Sequence, residues 1–315
     1  MKVLITGATG LVGSEIMRLC RLRNIQVNYL TTSKNKIEKS DQVNGFFWDP
    51  SKSEIDENCL EGVDTVINLA GASISKRWTE SYKKIIIDSR LDSLNTLHNL
   101  LRNNSRHQVS SLVSASAIGV YPSSLTHYYT EDDNIYDDSF LCKVVKEWEA
   151  AADKWKDLGM QVTKIRIGLV LSKDGGALPQ LMKPVKFYAG APLGSGEQWQ
   201  SWIHITDLAE LFLYAVTEKL EGVYNGVAPN PVNNTKLTKE VAAALKKPLF
   251  LPNVPEWLLR AILGEMANIL FDSQRVSSKK IENEGFMFIH SNVSGALNDL
   301  LVTDERTPST QEFVS

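Results

Sequence analysis

The sequence has little of what marks a secreted, membrane-spanning or nucleic-acid-binding protein. It contains 3 cysteines in 315 residues, Cys20, Cys59 and Cys142, and this odd, scattered set predicts reduced thiols in a cytosol-like compartment rather than a disulfide framework. No apolar run reaches about 18 residues, so we expect no segment that spans a bilayer. The chain opens on a predicted core strand, which leaves no room for a signal peptide. These absences predict a cytoplasmic protein.

Neither sign of charge dominates the chain. A formal net charge of −3 and a pI of about 6.0 give no electrostatic case for binding nucleic acid or an anionic membrane. No group of Cys, His, Asp and Glu has the spacing of metal ligands, so we expect no metal site. Internal repeats and low-complexity segments are also lacking. The length is enough for a full core in one large domain or two interleaved ones.

What the sequence does contain is a glycine motif at its N-terminus. A short apolar strand over residues 2–6 is followed by Gly7, Gly10 and Gly13, and a helix with apolar periodicity begins inside the motif. Strand, glycine turn and helix form the context that a dinucleotide site requires. An ordinary turn between strand and helix would explain one of these glycines, but not three at this spacing.

Each glycine of the motif has a physical role in such a site. Gly7 allows the tight turn, Gly10 lets the backbone approach a pyrophosphate, and Gly13 lets the helix pack closely on the strand. The unpaired N–H groups at the helix start, with the helix dipole behind them, bind the phosphates. The motif residues assigned to this contact besides the glycines are Thr9, Leu11 and Val12.

The end of the second predicted strand, residues 25–30, bears on the choice of cofactor. An NAD site usually has Asp or Glu there to bind the ribose 2′-hydroxyl. This chain has hydroxyls and lysines instead, in Thr31, Thr32, Ser33, Lys34 and Lys36, and residues 31–36 contain no acid. Such groups suit a 2′-phosphate, so the sequence favours NADP over NAD. The alternative is that the lysines only solvate a loop.

Strands and helices alternate along the first two thirds of the chain. Strands are predicted at 2–6, 25–30, 46–48, 63–69, 108–113, 161–171, 199–205 and 222–227, and helices at 78–102, 139–158 and 207–217. This alternation predicts an α/β fold with a Rossmann-type doubly wound parallel sheet and a small, mostly helical C-terminal substrate lobe. We expect a dinucleotide-binding domain over 1–228, with a substrate-lobe insertion at about 172–200, a small domain over 229–301, and a disordered tail over 302–315.

Small residues stand where further strands end at the same edge of the predicted sheet. In such a sheet the cofactor lies beyond the carboxyl ends of the strands. The residues assigned to cofactor binding on this ground are Leu69, Ala70, Gly71, Ser114, Ala115 and Gly168.

The chain resembles a known family over residues 1–301. It is similar to the extended short-chain dehydrogenases/reductases, and more narrowly to the atypical YfcH-type "epimerase family" group. The stretches that carry the resemblance are GATGLVG (7–13), NLAGASI (68–74), RWT (77–79), SR (89–90), SASAIG (114–119), KEWEAAA (146–152), RIGLVLS (166–172), QWQSWIHITDL (198–208), NGVAPNPVNN (225–234) and LGEMANILFDSQRV (263–276).

The resemblance implies a catalytic set that this chain keeps only in part. Ordinary members of the superfamily use Ser, Tyr and Lys, with Tyr-x-x-x-Lys on one helix. Ser116 fits the serine position, but Leu141 stands at the tyrosine position and Val145 at the lysine position. The narrower group also generally lacks this pair. Cys142 lies three residues from Val145 and is interpreted as packing.

Three other residues are candidates for the missing chemistry. By the resemblance, Arg90 replaces a structural Asn and could clamp a substrate carboxylate; the alternative is a surface ion pair with Asp88 or Asp92. The resemblance also implies that Tyr121 lies in a loop where superfamily members often place a substrate-facing aromatic, so it is the best phenolic proton donor left. His204 stands at a strand end and is a candidate acid or base, although a lone histidine is more often structural.

Two functions follow from these residues. The first is an NADP(H)-binding oxidoreductase or nucleotide-sugar-epimerase-like enzyme that acts on an unidentified small molecule, as a monomer or homodimer. The second is a non-catalytic NADP(H)-binding sensor or scaffold, which an intact glycine motif with a lost Tyr/Lys pair would also predict.

Overall fold

A computed structural model describes residues 1–104 and 106–302. The predicted tail lies outside the described residues, except for Val302, which ends the last helix. The strands are β1 Lys2–Thr6, β2 Gln26–Thr31, β3 Val43–Asp49, β4 Glu54–Ile55, β5 Thr65–Asn68, β6 Ser111–Ala117, β7 Tyr128–Tyr129, β8 Gln161–Ile167, β9 Leu169–Ser172, β10 Gly175–Gly176, β11 Trp199–Gln200, β12 Trp202–His204, β13 Gly222–Gly226, β14 Val232–Asn233 and β15 Arg275–Val276.

The helices lie between these strands and after them. They are α1 Leu11–Leu22, α2 Glu80–Asn103, α3 Phe140–Asp153, α4 Leu178–Lys186, α5 Ile205–Thr217, α6 Asn234–Ala244, α7 Glu256–Leu263, α8 Asn268–Phe271, α9 Lys279–Asn283 and α10 Val293–Val302. Among the described residues, no helix combines the length and hydropathy that crossing a membrane requires.

One eight-stranded sheet organises the molecule, in the order β13-β8-β6-β5-β1-β2-β3-β4. All neighbours in it pair in parallel except β4, which runs antiparallel to β3. The chain moves outward from β1 through β2 and β3, then returns to place β5 on the other side of β1. That reversal makes the crevice between β1 and β5 the switch point of a doubly wound sheet, where ligands bind. The predicted fold class is confirmed.

The central strands are apolar because both faces of the sheet are covered. Val3, Leu4 and Ile5 of β1 are wholly buried. Helix α1 packs against α5, and α2 packs against α3. The amphipathic pattern of α1 leaves its apolar side in the core and its arginines in solvent.

The structure departs from the sequence-based elements at three places. The predicted strand 161–171 is interrupted at Gly168, where a Cβ atom would lie 2.1 Å from the carbonyl oxygen of Ser201. The chain therefore leaves the main sheet here and enters a second sheet, ordered β10-β9-β12. The strand predicted at 199–205 is likewise divided into β11 and β12, which belong to different sheets.

The third departure is α4, which begins at Leu178 in a stretch for which the sequence analysis predicted no helix. Pro179 stands in the first turn of this helix, where its missing N–H costs no hydrogen bond. The α4 side chains pack with α6 and α10 in a second apolar core. Tertiary packing, rather than local sequence preference, stabilises this helix.

Candidate dinucleotide site and cleft

The glycine turn after β1 has a backbone that only glycine fits at two of its positions. Gly7 has φ +66°, and a Cβ atom there would lie 2.9 Å from the carbonyl carbon of Leu69. A Cβ atom at Gly13 would lie 2.2 Å from the carbonyl oxygen of Gly7. The turn, the start of α1 and the end of β5 are therefore in direct backbone contact.

Gly10 differs from its two neighbours in the motif. A Cβ atom at Gly10 would meet only the Gly7 carbonyl oxygen, at 3.2 Å, so packing within the chain does not strictly require glycine there. Gly10 is the N-cap of α1, it supplies no side-chain cap, and the first turn of α1 contains no acid. The N–H groups of this first turn are thus left for an anionic ligand. Thr9 and Gly10 are exposed, and Leu11 and Val12 are half-buried.

A buried hydroxyl and amide network fixes the end of β5 beside this turn. The Thr6 hydroxyl accepts hydrogen bonds from the backbone N–H groups of Leu69 (3.0 Å) and Ala70 (3.1 Å) and donates to Asn68 Oδ1 at 2.8 Å. The Asn68 amide in turn donates to the Ser114 hydroxyl at 3.3 Å. The ends of β1 and β5 are therefore tied to each other and to the middle of β6.

The end of β2 carries the groups predicted to select the cofactor. Thr31 is buried, and its hydroxyl accepts a hydrogen bond from the N–H of Ser33 at 3.2 Å. Thr32 and Lys34 are exposed, and the Lys34 ammonium lies 5.0 Å from the centroid of the Phe47 ring. This edge offers hydroxyl and ammonium donors to an anion and no carboxylate.

Ser116 belongs to a buried ionic network that the sequence did not reveal. Its hydroxyl donates to Glu149 Oε1 at 2.6 Å. The same carboxylate receives Arg166 Nε at 2.8 Å and Arg166 Nη2 at 3.0 Å, in a bidentate pair. The sequence carried one sign of this network, which was charged residues at positions expected to be buried. Arg166 lies in a strand of the main sheet, and Glu149 follows Trp148 on the inner face of α3. Ser116 is only 2% exposed, so its hydroxyl is committed to this network.

Tyr121, the candidate proton donor, belongs to the same buried network. The side chain is buried, and its hydroxyl accepts from Arg166 Nη1 and donates to Asn225 Oδ1, each at 2.9 Å. Its ring stacks on Tyr129. Burial raises the pKa of Tyr121 to about 12. This phenol is a structural partner of Arg166, because its donor and acceptor sites are already used within the protein.

We therefore expect Tyr121→Phe to affect stability rather than nucleotide binding. Removing the hydroxyl leaves Asn225 Oδ1 without its donor, which should lower the free energy of unfolding by about 1–3 kcal/mol. Urea unfolding followed by circular dichroism measures this change, and Tyr136→Phe, at an exposed tyrosine, is the control. An unchanged midpoint for Tyr121→Phe would contradict the structural role.

The positions of the missing Tyr/Lys pair are apolar in three dimensions as well. Val145 is 2% exposed and packs with Tyr121, Cys142 and Val276. Cys142 is free, and burial raises the pKa of its thiol, which supports its interpretation as packing. Leu141 approaches Gly119, where a Cβ atom would lie 3.2 Å from the leucine Cβ.

Arg90 lies beside Trp148 of α3, the helix that carries Leu141 and Val145. Its Nη1 donates to the carbonyl oxygens of Ile86 (2.8 Å) and Ala72 (3.2 Å), and its guanidinium stands 4.8 Å from the centroid of the Trp148 ring. The alternative ion pair with Asp88 or Asp92 is not formed. Asp88 instead binds Lys84 at 2.6 Å.

His204 lies in a different cluster, at the start of α5. Its Nδ1 accepts a hydrogen bond from the backbone N–H of Thr206, and its ring stacks on His290 at 3.8 Å. Burial is the main cause that lowers the pKa of His204 to about 4, so this imidazole is neutral at ordinary pH. Within the described residues it shares no hydrogen bond or ring contact with Ser116, Tyr121 or Arg90.

Possible metal ligands also meet in this cluster. One ligand atom from each of His204, Asp207 and His290 lies within 4.8 Å of the others. The Asp207 carboxylate accepts the backbone N–H groups of Ile289 and His290, at 2.8 and 2.9 Å. His204 Nδ1 caps α5, and its Nε2 lies 3.4 Å from Asp299 Oδ2.

The chain matches two family models. The NAD dependent epimerase/dehydratase family matches residues 3–227, and a domain of unknown function, DUF1731, matches residues 254–300. An epimerase family protein of Staphylococcus haemolyticus is 37% identical over 301 residues, which cover 95% of this chain and 98% of that protein.

Two solved structures share both sequence and fold with the chain. The human epimerase family protein SDR39U1, solved with NADPH, is 28% identical with a TM-score of 0.82, over 96% of this chain and 99% of that one. A nucleoside-diphosphate sugar epimerase of Corynebacterium glutamicum is 29% identical with a TM-score of 0.76, over 96% of this chain and 58% of that one.

Proposed function

Because the chain belongs to the NAD-dependent epimerase/dehydratase family, we propose that it binds NADP(H) and acts as an oxidoreductase or epimerase-like enzyme on a small molecule. The resemblance to the epimerase group of the short-chain dehydrogenases/reductases is confirmed by these matches. The single observation that carries the proposal is the uncapped N-terminus of α1 behind the Gly7–Gly13 turn. A bound NADPH would supply the hydride, and the protein would supply binding, orientation and charge.

The residues present fit such a cofactor at two points. The first turn of α1 offers backbone N–H groups to a pyrophosphate, with Gly10 keeping side chains out of the way. The end of β2 offers Thr32 and Lys34 to a 2′-phosphate and has no carboxylate that would repel it. The SDR39U1 structure, which contains NADPH, supports the same choice by analogy.

We expect NADPH to raise the melting temperature more than NADH does at equal concentration. A ligand that binds the native state stabilises it by RT ln(1 + [L]/Kd), and the extra phosphate adds contacts only in NADPH. Thermal unfolding with each nucleotide measures the difference. Lys34→Gln should reduce the NADPH shift and leave the NADH shift alone, whereas the exposed Lys39 provides the matched control, Lys39→Gln. Equal shifts for both nucleotides in the wild type would count against the preference.

At the substrate end, the chain's own groups do not supply the usual acid. Ser116 and Tyr121 are buried in hydrogen bonds to Glu149, Arg166 and Asn225. Hydride transfer depends strongly on positioning, which does not itself require a phenol. In such a reaction the proton would come from solvent or from another group near the substrate, rather than from Tyr121.

A non-catalytic NADP(H) sensor is the second candidate function, and the apolar surroundings of Val145 favour it. A labelling experiment separates the two. The protein is incubated with a metabolite extract and NADPH deuterated at the transferred position, and mass spectrometry follows the label. Transfer by the wild type but not by Gly10→Val supports an enzyme. Absence of transfer, with NADPH binding intact and with no component of the extract epimerised in the presence of NADP+, supports a sensor.

A further inference from the structure

Arg90 is a charged side chain without a counter-ion in the part of the chain that is described. Its Nη1 is bonded to two carbonyl oxygens, while its Nε is buried and has no hydrogen-bond acceptor. Nη2 makes no hydrogen bond to a described residue. Burial lowers the pKa of Arg90 to about 10, which still leaves it protonated at neutral pH. A charge held in this way is unfavourable unless a partner arrives.

Arg166 provides a comparison, because its guanidinium is paired with an acid through Nε and Nη2. Its Nε and Nη2 bind the two oxygens of Glu149 at 2.8 and 3.0 Å, the bidentate geometry that arginine forms with a carboxylate. Arg90 has the equivalent Nε–Nη2 edge, and no acid of the described chain occupies it. The protein therefore neutralises one of these two arginines internally and provides no acid for the other among the described residues.

The surroundings of Arg90 hold the guanidinium in one orientation. The Trp148 ring lies 4.8 Å from it, and the Ala72 carbonyl fixes Nη1. Ala72 is itself held by the Ser89 hydroxyl, which accepts its N–H at 2.8 Å. A Cβ atom at Gly71 would lie 3.1 Å from the Arg90 Cζ, so this glycine leaves space for the guanidinium. A pre-oriented arginine loses less entropy on binding than a mobile one.

This position belongs to the proposed site rather than to the outer surface. Gly71 and Ala72 continue from the end of β5, at the switch point of the sheet, and Trp148 follows Val145 by three residues on the same side of α3. The guanidinium thus stands between the carboxyl edge of the sheet and the helix that carries the Tyr/Lys positions in relatives.

We propose that Arg90 binds an oxyanion of the substrate through its Nε–Nη2 edge, so that the substrate is a small molecule with a carboxylate or phosphate group. That the oxyanion belongs to a substrate rests on the proposed function, because a phosphate of the nucleotide could also bind this arginine. The unoccupied edge, the missing acid and the fixed orientation all point to a planar or tetrahedral oxyanion, which arginine recognises bidentately.

The test uses malonate and inorganic phosphate as probes, with NMR of the Arg90 Nε–H, assigned by its loss in Arg90→Lys. Malonate or phosphate, added to the NADPH-saturated protein, is expected to move this resonance saturably. Because the Arg90 variants lack this resonance, calorimetric titration compares their affinity for each probe with that of the wild type. Arg90→Gln should weaken probe binding about tenfold or more, since a hydrogen-bonded charge pair contributes roughly 1.5–3 kcal/mol. Its NADPH affinity should stay within about twofold, and Arg90→Lys should recover part of the probe binding. Arg102→Gln, at an exposed position of the same helix, is the control.

Three outcomes would overturn or separate the ideas. A resonance that no probe moves, in protein that binds NADPH normally, refutes the oxyanion site. A resonance that NADPH alone moves, with NADPH affinity lost about tenfold in Arg90→Gln, assigns Arg90 to the nucleotide and refutes the substrate role. If the wild type fails to bind NADPH, the proposed function fails, while malonate titration of the free protein still tests Arg90. Melting curves of each variant confirm that it is folded.

Discussion

Replacing Glu149 with alanine is expected to lower the free energy of unfolding by about 3–5 kcal/mol, because it leaves a buried arginine without its partner. The Glu149 and Arg166 side chains are 12% and 5% exposed, so water can replace little of the lost interaction. The same change also removes the acceptor of the Ser116 hydroxyl. Urea unfolding monitored by circular dichroism gives the difference directly.

The matched control for this change lies on the same helix. Glu147→Ala removes a half-buried carboxylate that forms no ion pair within the described residues, and it should alter the unfolding free energy by less than about 0.5 kcal/mol. Glu149→Gln keeps the shape and loses the charge, so its effect should be intermediate. A loss below about 1 kcal/mol for Glu149→Ala would show that the network contributes little.

The second large effect is expected at Gly10, where valine should abolish NADPH binding and leave the fold intact. Inside the chain a Cβ atom at Gly10 meets one atom at 3.2 Å, but the position caps the helix whose N–H groups would receive the phosphates. At a free NADPH concentration of about 100 times Kd, the wild-type protein should gain roughly 2.7 kcal/mol of stability. The variant should gain none, by calorimetry or thermal unfolding with and without nucleotide.

Gly13 provides the contrast that makes this result specific. A Cβ atom at Gly13 would lie 2.2 Å from the Gly7 carbonyl oxygen, so Gly13→Ala must shift backbone and should lower stability even without nucleotide. If Gly10→Val melted as early as Gly13→Ala, its loss of binding would be a folding defect. NADPH stabilisation that survives Gly10→Val would refute the site on α1.

These changes separate two kinds of charged residue near the carboxyl edge of the sheet. Glu149 and Arg166 neutralise each other and hold Ser116 and Tyr121, so their loss should affect stability first. Arg90 has no acid among the described residues, so its loss should affect ligand binding first. Stability and binding measured on the same variants therefore distinguish a structural network from a recognition site.

The sequence by itself determined the sheet and the glycine turn, because both depend on short-range patterns. Apolar runs separated by helical periodicity predicted β1, β2 and β6 to within a few residues, and three glycines at fixed spacing predicted the turn beside α1. The backbone at Gly7 and Gly13 leaves no room for a side chain. The glycines seen in the sequence are therefore the ones that the turn requires.

Only the tertiary structure decided what each polar side chain does, because its partners come from distant parts of the chain. Tyr121 looked like a free phenol until Asn225, 104 residues away, and Arg166 occupied its hydroxyl. His204 was a candidate acid or base by its sequence position, whereas in the structure its Nδ1 caps α5. Arg90 pairs with neither Asp88 nor Asp92, and Asp88 pairs with Lys84 instead. Spacing along the chain cannot reveal such pairings, since burial and long-range contacts decide which hydrogen-bonding groups are already satisfied.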